Sequence, residues 1–504
     1  MTVSLVLEHL FLVLAAAILS IAIGLPLGIL AYVSPKLRGV ILRVVDLLQT
    51  IPSLALLGVI MVVLGPGKAT VVTGITLYSL LPIVRNTCLG FQQVDPGIKE
   101  AATGMGMSAA YRIFRVELPL AFPTVFTGIR IAVVNAIGTA VFAAFVGGGG
   151  LGSVITQAIR VSDMSMLLKA TAALMVIAMA LDVIMGRFEK MMEQEKGASR
   201  KMLVPVAAIL AAFLALVPFN IRSAEGLMLY DGDYSETQLM HHMVKFLVED
   251  RTEVPVTIQD QMTQVNNFKS LIGDGHTCDL MISYDGTLLT TFLGQDPTDV
   301  PEGMTLYDYV NQQAKEQHDI RLLEKLGFDN TYALAVSQEL AEKYGLETIS
   351  DLIPLAPELT FGAEQGFFTL EGSMKYEPFV KFYGLQFKDA IPVDQGLKYS
   401  AIENGRFDVT VVYATDGLNR KAGLKILEDD QGFFPEYNGA FLVREDTFQR
   451  FAEQAPELEE ILNLLADQIS TEEMAEMTYQ VDVVGRTVDE VAKEFLVNKG
   501  LLAD

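Results

Sequence analysis

The sequence predicts two unlike domains in one chain: an α-helical transmembrane domain over residues 1–220 and an α/β two-lobed domain over residues 221–504. Three observations predict it. The chain has 504 residues, enough for two or three domains. Its composition is 51% hydrophobic and its mean hydropathy is +0.36, too apolar for an ordinary soluble protein of this size. The charge divides along the chain: 16 Lys+Arg against 10 Asp+Glu up to residue 220, then 21 against 51, for nets of +6 and −30. So acidic a second half argues against a nucleic-acid partner and keeps that domain off anionic lipid. Cys88 and Cys278 fall in different halves and are expected to stay unpaired.

In the first half, long apolar runs predict six spans: Leu5–Val33, Val40–Leu64, Ala69–Val84, Phe122–Phe145, Met166–Met185 and Leu203–Phe219. Residues 5–33 lack a basic lead-in and a cleavage site, so they read as a span and not as a removable signal. Basic residues set the orientation. Lys36, Arg38 and Arg43 follow the first span; Arg85, Lys99, Arg112 and Arg115 follow the third; Arg187, Lys190, Lys196, Arg200 and Lys201 follow the fifth. The alternate loops hold only Lys68 and Arg160. The N-terminus and residues 221–504 are therefore expected outside a cell membrane, with three basic loops in the cytoplasm. Gln49-Thr-Ile-Pro52-Ser53 should break the second span, and Gly147–Gly150 with Gly152 should form a flexible outer turn.

The second half mixes strand-like runs (Leu227–Tyr230, Val254–Ile258, Leu280–Ser283, Tyr332–Val336, Val409–Tyr413, Ala440–Val443) with helical patterns (Glu236–Val248, Tyr309–Gln317, Ser337–Tyr344, Glu457–Ala466, Thr471–Val481, Thr487–Asn498). Alternation of this kind predicts parallel pairing. A pseudo-repeat predicts two similar lobes. Ser270-Leu-Ile-Gly-Asp-Gly-His-Thr-Cys-Asp279 precedes an apolar run and Tyr284-Asp-Gly; Ser400-Ala-Ile-Glu-Asn-Gly-Arg-Phe-Asp408 precedes Val409–Tyr413 and Asp416-Gly417. Each copy reads as a helix, a glycine turn, a buried strand and a loop at the strand's C-terminal end, where α/β sheets bind ligands. Two such lobes facing each other make a cleft that closes on a solute.

The basic segment 87–121 reads Glu100-Ala101-Ala102-Thr-Gly-Met-Gly106, nine further residues, then Val116-Glu117-Leu118-Pro119. It resembles the coupling loop of ABC importer permeases: Glu-Ala-Ala, Gly six after the Glu, then an aliphatic residue, any residue and Leu-Pro. Ala101, Ala102, Gly104 and Gly106 let two short helices pack at a bend, and Pro119 should stop the second before the next span. The chain has no Gly-x4-Gly-Lys-Ser/Thr phosphate loop. ATP hydrolysis is therefore expected in a separate ATP-binding subunit, with no cofactor bound here. A single set of spans makes a homodimer the economical pore. Five histidines and two cysteines show no metal or triad spacing, so an enzyme is not expected. A ligand-gated channel or sensor with a similar clamshell is the remote alternative, against which the coupling loop argues.

With Gln49–Leu57 added, the whole chain resembles fused permease–binding proteins of the Gram-positive osmoprotectant (choline, glycine betaine, carnitine) uptake family, with ergothioneine importers of the same domain order as close relatives. The resemblance implies a type II periplasmic-binding-protein-like fold for the second domain. It also implies an aromatic box for a quaternary ammonium, drawn from Tyr332 (in Asn330-Thr-Tyr332), Tyr413 (in Tyr413-Ala-Thr415-Asp416), Tyr437 (in Tyr437-Asn-Gly439) and, across a gap, Tyr307. Tyr284, Asp285 and Thr415 belong to the same landmarks; Thr237, in Ser235-Glu236-Thr237, stands where relatives carry glutamine. A quaternary ammonium has no N–H to donate, so aromatic faces must hold it, at about 0.5–2 kcal/mol per ring. With no Trp in the chain, Tyr and Phe must supply every wall. Choline-restricted relatives resemble Asp at position 285 where betaine-accepting ones resemble Thr. A carboxylate there attracts a cation and repels a betaine's own carboxylate, so choline leads, with ergothioneine, glycine betaine, carnitine or an amino acid as alternatives. Met281-Ile282-Ser283 and Glu364-Gln365-Gly366-Phe367-Phe368 depart from the family pattern.

Overall fold

The computed structural model describes every residue except 1–2, 162, 195–202, 221–225, 233, 274–276, 370–372, 395–396, 436 and 504. The chain divides into a helical unit (Met1–Thr156 and Ser165–Ser223) and a second unit that contains Ala224–Asp504.

The helical unit comprises α1 (Val3–Val33), α2 (Pro35–Thr50), α3 (Ser53–Leu64), α4 (Lys68–Gln93), α5 (Pro96–Gly104), α6 (Ala109–Arg112), α7 (Leu118–Thr139), α8 (Leu151–Arg160), α9 (Met164–Gln194) and α10 (Leu203–Asn220). Helix α4 lies at its centre, buried against α1 and α7. Small residues allow the close approach: a Cβ on Gly128 of α7 would lie 2.6 Å from the Pro82 carbonyl of α4. Among the described residues three helical segments are long and apolar enough to span a membrane, Ser4–Val33, Ala109–Val146 and Met164–Met191. The pair α2–α3, bent by 101° at Ile51-Pro52, makes a fourth if it counts as one broken span. The break at Gln49–Ser53 is where the sequence predicts it.

Two expected spans are not among these four. The third, Ala69–Val84, lies within α4, which runs on to Gln93 with Thr87, Cys88, Gly90 and Phe91 still buried. Wrapped by protein, α4 carries Thr70, Thr76, Ser79 and Thr87 in its buried positions, which lowers its hydropathy. The sixth lies in α10. Lys196, Arg200 and Lys201 of the third basic loop fall outside the described residues. Pro119 does not stop a helix either. A π-helical turn, Ile113–Glu117, joins α6 to α7, and Pro119 occupies the first turn of α7, where its missing N–H costs least.

In the second unit, lobe one holds β1 (Leu227–Gly232), β2 (Val256–Met262), β3 (Leu280–Tyr284), β4 (Ile320–Leu322) and β10 (Gly439–Arg444). Strands β1 and β2 pair in parallel, and β3-β10-β4 is antiparallel. Lobe two is one mixed sheet, β7-β6-β8-β5-β9, of β5 (Tyr332–Ser337), β6 (Thr360–Glu364), β7 (Asp389–Val393), β8 (Val409–Tyr413) and β9 (Leu424–Leu427). The expectation of parallel pairing therefore holds only in part. Strands β5 and β10 enter straight from a crossing between lobes and run against their neighbours. The crossing segments bridge at Asp329 and Asn438.

The pseudo-repeat is real in three dimensions. Helix α12 (Gln264–Ile272) leads to β3, and the helix Lys398–Glu403 leads through Gly405, in the left-handed region at φ +67°, to β8. The first copy's turn at 274–276 lies outside the described residues. The closing aspartates do the same work: Asp279 accepts from Met228 N and Asp408 from Thr360 N, each at 2.8 Å, at the start of the neighbouring strand.

Candidate functional site: an aromatic cleft and a helical elbow

Antiparallel register sets the cleft. Tyr332 opens β5 directly opposite Tyr413, which closes β8. Their rings stack at 5.2 Å. Phe367 meets Tyr332 edge-on at 5.9 Å, and Phe434 lies 6.1 Å from it. A second pair, Tyr284 at the end of β3 and Tyr437 on the crossing, stacks at 5.8 Å. Tyr437 rests on Gly286, where any side chain would collide with its ring, and its hydroxyl pairs with Thr287 at 3.0 Å. Burial pushes all four phenol pKa values up, so the rings stay neutral.

Glu236, near the start of α11 (Ser235–Arg251), is a site residue that sequence reasoning passed over. It is 3% exposed and accepts from the Tyr284 hydroxyl and from Asn330 Nδ2 at 3.0 Å. It therefore ties lobe one to the crossing. Burial raises its pKa to about 7, against the polar groups of Thr415, Tyr284 and Asn330 beside it. Thr237 is placed otherwise: fully buried, it donates to the Tyr234 carbonyl at 2.8 Å.

Asp285 is 1% exposed, and its carboxylate accepts from Gly286 N (2.7 Å), Asn438 N (3.0 Å) and Asn438 Nδ2 (2.8 Å). It thereby pins the crossing to lobe one, and burial lifts its pKa to about 6. Tyr307 donates to the Leu323 carbonyl and carries Lys325 Nζ 5.2 Å over its ring, so one face already holds a cation.

Lys398 supplies a cation at this site. It is 1% exposed, pairs with Glu364 at 2.6 Å and stands 5.4 Å over both Tyr399 and Tyr413. In the Ser270/Ser400 register, the first repeat has buried Phe268 where the second has Lys398. A charge at an apolar position of a repeat was the available signal.

In the helical unit, α5 and α6 form the elbow. Asp95 caps α5 through Gly97 N at 2.6 Å, Gly106 turns the chain at φ +79°, and Ser108 caps α6. Ala102 is buried at the bend, whereas Glu100 and Ala101 are exposed. Ile98, Met105, Tyr111 and Phe114 are exposed apolar residues on the same elbow. Leu118 and Pro119 begin α7.

A helical membrane unit with such an elbow, joined to a two-lobed aromatic cleft, defines a membrane transport subunit that carries its own solute receptor. Residues 12–194 match the family described as binding-protein-dependent transport system inner membrane component, and residues 230–498 match the substrate binding domain of ABC-type glycine betaine transport systems. The chain is 30% identical to the ergothioneine transport permease/ergothioneine binding protein of Helicobacter pylori (strain G27) over 498 residues, 96% of this chain and 88% of that one. It is 34% identical over 265 residues to the carnitine transport binding protein of Listeria monocytogenes serotype 1/2a (strain 10403S), 52% of this chain and 83% of that one. A crystal structure of a glycine betaine/carnitine/choline ABC transporter aligns at 31% identity and TM-score 0.48, covering 55% of this chain and 99% of that one. The chain belongs to the fused permease and substrate-binding proteins of osmoprotectant-type ABC importers, and as a permease of that class it implies an ATP-binding partner.

Proposed function

We propose that this chain captures a zwitterionic trimethylammonium compound, ergothioneine foremost, and passes it through a pore built from two copies, driven by a separate ATP-binding subunit. The observation that carries this reading is Lys398 standing 5.4 Å from the Tyr413 ring, itself stacked on Tyr332. Tyrosine faces attract the quaternary nitrogen, which offers no N–H. A buried ammonium beside them, which Glu364 engages on one side, attracts the carboxylate that a betaine carries and choline lacks. The exposed apolar elbow is the surface offered to the ATP-binding subunit, and the pattern of basic loops supports a C-terminal domain outside the cell. The homologous ergothioneine protein with the same domain order agrees.

Choline is the second reading, favoured by the two buried acids Glu236 and Asp285. The Asp285 carboxylate is engaged by its own turn and by the crossing, which moves it from ligand toward support.

The test is calorimetric titration of the full chain in nanodiscs with ergothioneine, glycine betaine, carnitine and choline. Ergothioneine should bind tightest. Lys398→Met should weaken carboxylate-bearing ligands by about tenfold or more and leave choline within about twofold. Choline binding tightest, with Lys398→Met neutral for every ligand, would sink the assignment.

A further inference from the structure

The elbow is tied to more than its own span. Glu117 closes the π-helical turn between α6 and α7, and in the sequence it occupies the unconstrained position before Leu118-Pro119. The structure buries it fully. It accepts from the Tyr32 hydroxyl at 2.6 Å and from Arg112 Nε at 2.7 Å. Tyr32 is the penultimate residue of α1, 85 positions away. Arg112 also donates to Thr103 Oγ1 of α5 at 2.7 Å. The Tyr32 ring stacks on Phe91 of α4 at 5.1 Å, and Lys99 of α5 lies 5.1 Å over it while donating to the Phe91 carbonyl at 2.7 Å. At the α1–α2 corner, Arg38 donates to the carbonyls of Ala31 (3.0 Å) and Tyr32 (3.1 Å). One buried carboxylate thus joins both elbow helices to the ends of the two helices at the centre of the unit.

We propose that Glu117, with Tyr32 and Arg112, is the clasp that transmits elbow movement to α1 and α4. A helical elbow turning on Gly106 and joined to α7 alone would absorb a push at its hinge. A carboxylate buried away from water tolerates no loss of partners, so elbow and α1 move together or the clasp is broken at high cost. A π turn, one residue wider than an α turn, aims Glu117 inward from a helix whose neighbours Phe114 and Arg115 are exposed. Glu117 touches no solute in this account; it is a positioning residue. The proposal rests on the importer reading.

The experiment uses the full chain reconstituted in proteoliposomes with its ATP-binding partner, reading ATP hydrolysis and uptake of labelled ergothioneine and choline together. Tyr32→Phe, which removes one hydroxyl, and Glu117→Gln should both retain the partner and hydrolyse ATP within about twofold of wild type, yet import about tenfold fewer molecules per ATP. The double variant should be no worse than the worse single one, because both changes open one clasp. Hydrolysis and uptake falling in proportion, an unchanged ratio, or multiplying defects would overturn the clasp. A wild-type chain without ATP-dependent uptake of either probe would overturn the importer reading itself, so the two failures are distinguishable.

Discussion

The two lobes of the binding unit repeat one design and part at the strand ends that line the cleft. In lobe two, β5 begins with Tyr332 opposite Tyr413 at the end of β8; in lobe one, β10 begins with Gly439 opposite Tyr284 at the end of β3. The equivalent positions thus hold Tyr–Tyr in one lobe and Gly–Tyr in the other. Gly439 is required because a Cβ there would lie 2.6 Å from the Phe328 ring. Tyr437, two residues upstream on the crossing, supplies the ring that Gly439 lacks. A duplicated scaffold fixes strand ends, and side-chain choice at those ends then divides labour: lobe two carries the stacked pair and Lys398, while lobe one carries the buried acids Glu236 and Asp285.

The shared aspartate clasp offers the sharpest way to break the comparison. Asp279 is fully buried and also pairs with Arg450 at 2.5 Å, whereas Asp408 is half-buried and holds Thr360 N. Asp279→Ala should cost about 3 kcal/mol, because it orphans a buried strand N–H and removes the partner of the part-exposed Arg450. Asp408→Ala should cost only about 1–2 kcal/mol. Denaturant unfolding followed by tyrosine fluorescence measures both. Equal costs would mean that the two lobes are not supported differently.

Next in size is the pH dependence of Glu236. Its pKa of about 7 lies above the unfolded value of about 4.3, so the folded state binds the extra proton between them. The contribution of this raised acid is therefore fully present below pH 4 and lost as pH rises towards 7. The difference in stability between wild type and Glu236→Gln should change by about 3 kcal/mol between pH 4 and 8. A flat difference would show that the carboxylate ionises freely inside its ring of Tyr284, Asn330 and Thr415.

The stacked pair should contribute less per ring. Tyr413→Ala and Tyr332→Ala should each weaken binding of the proposed trimethylammonium solute by about tenfold, with Tyr437→Ala below that. Equal losses at Tyr437 would place the recognition in both lobes alike.

What was legible in the sequence follows from these contrasts. Tyr332 and Tyr413 stand at strand ends and Tyr437 on the crossing, each beside a recognisable motif, and backbone register alone brings the first two together. The elbow was legible from small residues at fixed spacing. Glu236 was not, since a charge on a helix reads as solvent-facing until its neighbours are known, and Lys398 showed only as a charge where the first repeat has Phe268. Strands β4 and β9 have three and four residues, too short for periodicity to register. Strand β7 carries Pro392, which only its edge position permits. The π turn that brings Glu117 inward has no sequence signature of its own.

The smallest effect concerns the cover of lobe one. His242 on α11 pairs with Asp489 of the C-terminal helix Val488–Asn498 at 2.5 Å and faces Asp231 at 3.8 Å. Burial lowers its pKa, but the two carboxylates outweigh that and leave it raised. A raised histidine stabilises below the unfolded value of about 6.5, and its contribution fades as pH climbs through the folded value. Asp489 is largely exposed, so solvent screens the pair and the contribution stays below about 1 kcal/mol. Amide exchange at pH 6 and pH 8 should show residues 488–498 opening more readily at the higher pH, with lobe two unchanged. In His242→Gln that difference should vanish. Opening of both lobes in step with pH would mean that the helix is held by its apolar face, Val491, Phe495 and Leu496, and that the ion pair merely accompanies it.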